Sequence, residues 1–492
     1  MRRISSTLSV LACTGTLVAC THEVPTTTRT PGAPRFSAVS NGASINAVNV
    51  SRDTTAQNET PLAFNPVNPA NLITGNNDWN YNDGCGVNAT FDGGKTWTPT
   101  LPNGFIPGIT RFTNDPAVPG TGTYDFGGDP AVAFSPDGNT AYFTCFGYLG
   151  KTVALWLSRS TDGGRTWTAG GPDHPLTLVS AFTGNGKARG SNGQFPDHES
   201  IHVALDGTIY VPWAHFDGFS SHSPIFIGVS HDGGASFDIP VRVTSGSVHS
   251  DQDARVVTDP ATSYAYLTFD NSIQGGKGTA MFVSVSKDRG ASWSRPVLLA
   301  TFQNPVCLYP PYCFNISGGQ FRAPGSYPVP AFDPTTQRLY VAYTDIVGGL
   351  AQILLTYANV ADITKWTTPA IVAPASGDRI NVELSVEPSS GRLDIMTNDR
   401  SYTGNTLFDV SYITSSDGGN TWTTRRVTKQ SWDPAQYGVP CGSCASGVRP
   451  FIGDYDGIVS LPGSAAMTWT GPGKTFGLYP TNLEVFFASV AP

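Results

Sequence analysis

The sequence predicts an all-β fold, a β-propeller of four-stranded blades. Three observations predict it. An octapeptide of one pattern recurs five times, short alternating strands surround each copy, and the composition disfavours helices. Of 492 residues, 54 are Gly and 38 are Pro, while only 13% are charged. Such a chain suits tight turns between short strands.

The octapeptide copies are Thr90–Trp97, Ser160–Trp167, Ser230–Phe237, Ser286–Trp293 and Ser415–Trp422. Each places a hydroxyl residue first, Asp third, Gly fifth, Ser or Thr seventh and an aromatic last. Asp at the third position accepts backbone N–H groups of its own turn, and Gly supplies positive φ. The hydroxyls tie the ends, and the aromatic buries between sheets. A worn copy falls at Asn359–Trp366, keeping little but the Trp. A calcium loop would need several alternating oxygen ligands, which these turns lack.

Around each copy lie two further strands upstream and one downstream. Asp129-Pro-Ala-Val-Ala-Phe with Thr140-Ala-Tyr-Phe-Thr exemplifies the upstream pair, and Leu339-Tyr-Val-Ala-Tyr a second strand. The octapeptide is then the hairpin between the third and fourth strands of a blade. Seven such units fit the chain, with six blades the alternative. The seventh, beginning at Tyr455, ends after its third strand. The stretch Ala43 to Val50 supplies the missing fourth, which closes the ring and hides two sheet edges.

The octapeptide resembles the Asp-box (BNR) repeat of the sialidase-like β-propellers, and the resemblance covers most of the mature chain. It implies a glycan-directed site on the face opposite the Asp boxes. It implies less about catalysis. Sialidases hold the substrate carboxylate with three arginines and use a tyrosine nucleophile, an activating glutamate and an aspartate acid/base. Their first arginine motif precedes the first box; here the similar Phe321-Arg322-Ala323-Pro324 follows the fourth.

Candidate site residues lie where first strands begin and second strands end. The starts carry Asp129, Asp197, His198, Glu199, Asp251, Asp253, Arg322, Arg379, Arg449 and Tyr455. The exits carry Trp79, His215, Asp217, Asp270, Asp345 and Arg400. Carboxylates in unlike environments serve as acid and base. Asp129, Glu199 and Tyr455 are therefore the catalytic candidates. Arg322, Arg379, Arg449 and Arg400 are candidates for an anion clamp, since guanidinium forks bind carboxylates. Asp253 is a polar contact, and Trp79 and Trp213 are stacking surfaces for sugar. The function expected is a carbohydrate-directed propeller, possessing glycoside hydrolase activity of the exo-sialidase kind. A non-catalytic glycan- or protein-binding propeller is the alternative. A polysaccharide lyase using His198, His215 and Tyr455 is a third reading. No cofactor and no metal are expected, because the one C-x-x-C, at Cys441 and Cys444, lacks a second pair. A monomer is expected.

The N-terminus reads as an address. Arg2 and Arg3 precede an apolar stretch that ends in Leu17-Val18-Ala19-Cys20. This resembles a bacterial lipobox, so residues 1–19 read as a lipoprotein signal and Cys20 as the lipidated residue. Residues 20–36, rich in Thr and Pro, read as a tether, and 37–492 as the propeller. The partner is then a glycan, with the membrane reached through the lipid and outer-membrane or surface placement. A formal net charge of −8 argues against nucleic acid. With Cys13 removed in the signal and Cys20 lipidated, six cysteines remain, an even number as in disulfide-bonded exported proteins. Cys307–Cys313 and Cys441–Cys444 would staple loops, and Cys85–Cys145 would tie successive repeats.

Overall fold

The computed structural model describes residues 38–39, 45–52, 56–79, 84–99, 126–149, 151–168, 176–183, 194–217, 222–246, 248, 250–271, 280–303, 325–440, 448–473 and 482–492. These residues form a seven-bladed propeller of antiparallel sheets, as the repeat predicts. Blade two shows the plan, with strands Phe126–Phe134, Ala141–Leu149, Thr152–Ser160 and Thr177–Thr183 in that order from the axis outward. Its second strand, Ala141–Leu149, meets Phe134 and Ser160 at one end and Phe126 and Thr152 near the other. The octapeptide that follows Ser160 and the start of the first strand therefore lie on opposite faces.

The innermost strands of neighbouring blades touch all round the ring, including Gly457–Leu461 of blade seven against Leu62–Asn65 of blade one. Ring closure follows the expectation. Blade seven supplies Gly457–Leu461, Ser464–Pro472 and Leu483–Val490, and Val48–Asn49 adds the fourth, antiparallel strand. The Val50 amide extends this pairing by donating to the Val485 carbonyl at 2.8 Å. Ala38–Val39 lies parallel to Thr423–Arg426 at the outer edge of blade six. The N-terminal segment thus covers the outer edges of two blades.

The core is distributed between blades. Ile73, Phe143 and Trp156 fill the seam between blades one and two. Leu355, Leu384, Ile395 and Trp422 fill the seam between five and six. The octapeptide aromatics join these seams. Trp97 packs edge-on to Phe487 of blade seven, ring centroids 5.2 Å apart. Trp293 lies in the seam of blades three and four.

Each octapeptide turn is built the same way. In the first, the Thr90 hydroxyl donates to Asp92 Oδ1 at 2.8 Å and accepts the Gly94 amide at 3.0 Å. The Thr96 amide and hydroxyl donate to the two Asp92 oxygens at 2.9 and 2.6 Å. These Thr96 bonds hold the Asp92 carboxyl down to about 2. Asp162, Asp232, Asp288 and Asp417 repeat the pattern. The worn copy is a single 3-10 turn, Val360–Asp362, capped by Asn359, with Trp366 still in the seam of blades four and five.

The Gly at the fifth position has a second duty. Gly94 has φ +87°, and a Cβ there would stand 1.9 Å from the Phe487 ring. Gly164, Gly234, Gly290 and Gly419 likewise face a side chain of the preceding blade. The turn needs the left-handed backbone, and the seam needs the missing side chain.

One disulfide joins Cys85 of blade one to Cys145 of blade two, with Cα atoms 6.8 Å apart, as the repeat spacing suggested. Cys13, Cys20, Cys307, Cys313, Cys441 and Cys444 lie outside the described residues. Among the described residues no helix is long and apolar enough to cross a membrane.

Candidate functional site

The first strands carry a local irregularity that builds the site. Five of them contain a non-glycine residue with left-handed backbone: Glu59, Asp129, His198, Asp253 and Asn381, with φ between 51° and 60°. At each, pairing with the second strand lapses. Register shifts between Gly128 and Ala131, Gln252 and Arg255, and Ile380 and Glu383. In blades one and three the first strand is split, into Gln57–Asn58 with Leu62–Asn65 and Gln194–Asp197 with His202–Val203. Such bulges turn side chains out of the sheet. Here they turn polar groups toward the axis. The left-handed backbone costs about 1–3 kcal/mol per residue, so the surroundings must hold it.

Side-chain bonds supply that hold. Asn77 Oδ1 accepts the Asp129 amide, and Asp129 Oδ2 accepts the His198 amide, both at 2.9 Å. Asn77 Nδ2 donates to Glu59 Oε2 at 2.5 Å. His198 Nδ1 pairs with Asp253 Oδ1. The Tyr327 hydroxyl donates to Asn381 Oδ1, and Asn381 Nδ2 donates to Asp456 Oδ2, each at 2.7 Å. The bonds form two runs, one through blades one to four and one through blades five to seven.

Around the axis they enclose a cavity of about 290 Å³ to which every blade contributes. His198, Glu199, His202, Arg255, Glu383, Tyr455 and Asp456 are its ionisable lining, set among Pro61, Pro130 and Pro330. A larger cavity of about 350 Å³ lies on the octapeptide face between blades seven and one. Leu72, Ala466 and Phe487 line it, and no titratable group does, so the chemistry belongs to the axial cavity.

Glu199 is the most unusual group. It is 2% exposed, and neither carboxyl oxygen has a hydrogen-bond partner on another described residue. Burial, then the charge of Asp129, push its pKa well above the usual carboxylate range. Asp197 is raised for the same two reasons. Asp456, also buried, is pushed up to about 8. His198 moves the other way from a buried imidazole. Burial acts to lower it, but Asp253 overrides this and brings the ring up to about 9. Its Nε2 has no partner in the cavity. Across the axis, Arg255 clasps Glu383 at 2.5 and 2.8 Å, with its guanidinium 5.2 Å from the Tyr327 ring centre.

Of the residues singled out by sequence, Asp129, Asp197, His198, Glu199, Asp253 and Tyr455 come together here. The Tyr455 ring lies 4.8 Å from His198, and its hydroxyl donates to the Pro130 carbonyl at 2.8 Å. Burial, with Glu59 and Asp129, raises its pKa far above that of a free phenol. Other candidates stand apart. Arg379 is buried against Asp399 at 2.8 Å and donates to the Ala373 carbonyl. Arg400 donates to the Thr406 carbonyl and lies 3.7 Å from Asp378. Trp213 is fully buried between Phe182 and Phe226. Trp79 donates to Asn58 at 2.8 Å and packs on Phe451 at one rim of the mouth. His215 packs against Phe182 and Phe226. Arg322 and the Arg449 side chain lie outside the described residues.

Tyr327, Arg255, Glu383, Asn381 and Asp456 were missed in the sequence. A signal for three of them exists. Glu59-Thr-Pro-Leu62, Asp129-Pro-Ala-Val132, His198-Glu-Ser-Ile201, Asp253-Ala-Arg-Val256 and Asn381-Val-Glu-Leu384 share one register. Aligning blades on this polar–x–x–apolar step, rather than on the octapeptide, brings Asn381, Arg255 and Glu383 into view.

No family model matches the sequence, and no curated protein matches it. Solved structures do. An ulvan lyase of polysaccharide lyase family PL25 is 12% identical over 91% of this chain and 96% of its own, with a TM-score of 0.52. Its complex with -[GlcA(1-4)Rha3S]- gives 0.51 over the same spans. The GH74 xyloglucanase of Xanthomonas campestris is 16% identical over 90% of this chain and 55% of its own, with a TM-score of 0.45. These neighbours are glycan-active β-propeller enzymes, and at such identity the likeness is one of fold.

Proposed function

We propose that this chain is a carbohydrate-directed propeller that hydrolyses glycosidic bonds at its axial mouth, with Glu199 as proton donor and Asp129 as partner carboxylate. The observation that carries this reading is the buried, unpartnered Glu199 beside Asp129, whose own carboxylate accepts a backbone amide. Two carboxyls whose surroundings push them apart in acidity divide into acid and base. Glu199 would give its proton to the glycosidic oxygen as the carbon–oxygen bond breaks. Asp129 would stabilise the positive charge growing on the sugar or activate the water that attacks it.

Sialoside specificity has less support. Arg379 is engaged by Asp399, and the Tyr455 phenol, raised by burial and bonded to Pro130, is far from the phenolate a nucleophile requires. A lyase would find His198 beside Tyr455, but an imidazole held protonated by Asp253 does not abstract a proton. The test is turnover on a panel of neutral, amino and acidic oligosaccharides by the wild type and Glu199→Gln. Glu199→Gln should lower kcat about 10²–10⁴-fold. Absence of turnover on every glycan, or an unaffected variant, refutes the reading.

The five octapeptide turns support membership among Asp-box propellers. The lipobox-like run before Cys20 supports export and lipid anchoring, at the outer membrane or cell surface, with residues 20–36 as tether. Labelled palmitate should enter the wild type in a bacterial host and not Cys20→Ser; equal labelling of both contradicts it.

A further inference from the structure

We infer that the octapeptide face is the one turned to the membrane, so that the axial mouth opens away from the lipid and takes its saccharide from the surrounding medium. The inference rests on the proposed lipid anchor at Cys20 and specifies how the anchored mouth is presented.

The direction of two strands carries it. Thr423–Arg426, the outer strand of blade six, starts directly after Trp422, the last residue of the fifth octapeptide. It runs from the octapeptide face toward the mouth, since Thr423 pairs with Thr414 and Arg426 with Ser411. Ala38–Val39 lies parallel to it, Ala38 beside Thr423 and Val39 beside Thr424. The chain therefore enters blade six from the octapeptide face. Val48–Asn49 points the same way. It is antiparallel to Leu483–Val490. Val490 in turn pairs with Ala465, beside the turn 461–464 on the octapeptide face.

Cys20 stands 18 positions before Ala38. A flexible chain of that length spans about 25 Å on average, and about 55 Å when drawn out. The propeller is itself about 30 Å deep, the length of a nine-residue strand such as Ala141–Leu149. With the octapeptide face down, the tether leads straight from Ala38 to the lipid. With the mouth down, it must first run back past the outside of blade six by the full depth of the propeller. Only a nearly extended tether does that, and extension forgoes most of its conformational freedom. The first arrangement therefore dominates. It holds the mouth about 30 Å or more from the bilayer. Sugars borne by lipids of that bilayer are then out of reach, and polysaccharide in the medium is not.

Energy transfer to the bilayer tests this on the intact lipidated chain, held in phosphatidylcholine vesicles that carry an acceptor-labelled lipid. A donor dye is attached through an azide-bearing residue in place of Lys95, in the first octapeptide, or of Lys151, in the turn between the second and third strands of blade two. Both side chains are exposed. Transfer from position 95 should be at least about twofold stronger than from position 151, given the depth of the propeller. Repeating residues 21–36 once more in the chain should bring the two signals toward equality, because the longer tether reaches past either face. Equal transfer at the native tether length, or stronger transfer from position 151, overturns the inference and leaves the anchor standing. Cys20→Ser should lose transfer from both positions. Absence of transfer in the chain that keeps Cys20, or its persistence in Cys20→Ser, overturns the anchor and the inference with it.

Discussion

Glu199 and Arg379 show how alike two buried ionisable residues look in sequence and how unlike their roles are. Both sit near a first-strand start. Glu199 faces an open cavity with no bonding partner. Arg379 spends its guanidinium on Asp399 and the Ala373 carbonyl. Truncating Arg379 leaves the buried Asp399 carboxylate without its cation, held only by bonds from Ser401 and Ser411, so Arg379→Ala should cost about 3–5 kcal/mol in stability. Denaturant unfolding reads this directly, and a loss below 1 kcal/mol would contradict the pairing. Glu199→Gln should keep the unfolding midpoint, since the amide replaces a group already uncharged. The residues were legible by type and position. Their partners were not, because pairing across a ring joins residues far apart in the chain, as Arg255 and Glu383 do.

At the scale of the element, the octapeptide is a local design, and local designs are legible. Hydroxyl, Asp, Gly and aromatic each have a role fixed within eight residues. The structure adds what lies across the seam. Gly93 and Gly94 both have positive φ, yet a Cβ on Gly93 meets nothing within 4 Å, whereas on Gly94 it meets the Phe487 ring. Gly93→Ala should cost about 1 kcal/mol from backbone strain alone. Gly94→Ala adds overpacking of about 1–3 kcal/mol. Equal losses in denaturant titration would show that the seam is not close-packed at this turn. The first-strand bulge is the opposite case. Its left-handed Glu59, Asp129, His198, Asp253 and Asn381 are residues that strand propensity does not mark. Tertiary bonds hold that conformation, and the sequence offers only a repeating register as a clue.

At the scale of the molecule, seven blades and their closure followed from counting strands, because an edge left open must be paired. The electrostatics of the axis did not follow from a formal net charge of −8, which says nothing of where carboxyls gather. Gathering them has a pH signature. Asp456 titrates near 8 when folded, against 3.8 in the free side chain, and Asp197 and Glu199 are raised as well. His198 rises from 6.5 to about 9. All four bind protons more tightly in the folded chain, so their contribution to stability falls as pH rises through their folded values. The octapeptide carboxylates, held low, lose their contribution only in strong acid. The thermal midpoint should therefore be highest in mild acid and fall between pH 6 and pH 9, and Asp253→Asn should flatten the part due to His198. A midpoint that climbs over that range would contradict the buried acid cluster. The most direct test of the central claim is the crystal structure of Glu199→Gln soaked with an oligosaccharide that the wild type cleaves. The account predicts a sugar ring at the axial mouth, within hydrogen-bond reach of residue 199 and His198 Nε2. An empty mouth with the sugar bound on another face, in a variant that still folds, would contradict it.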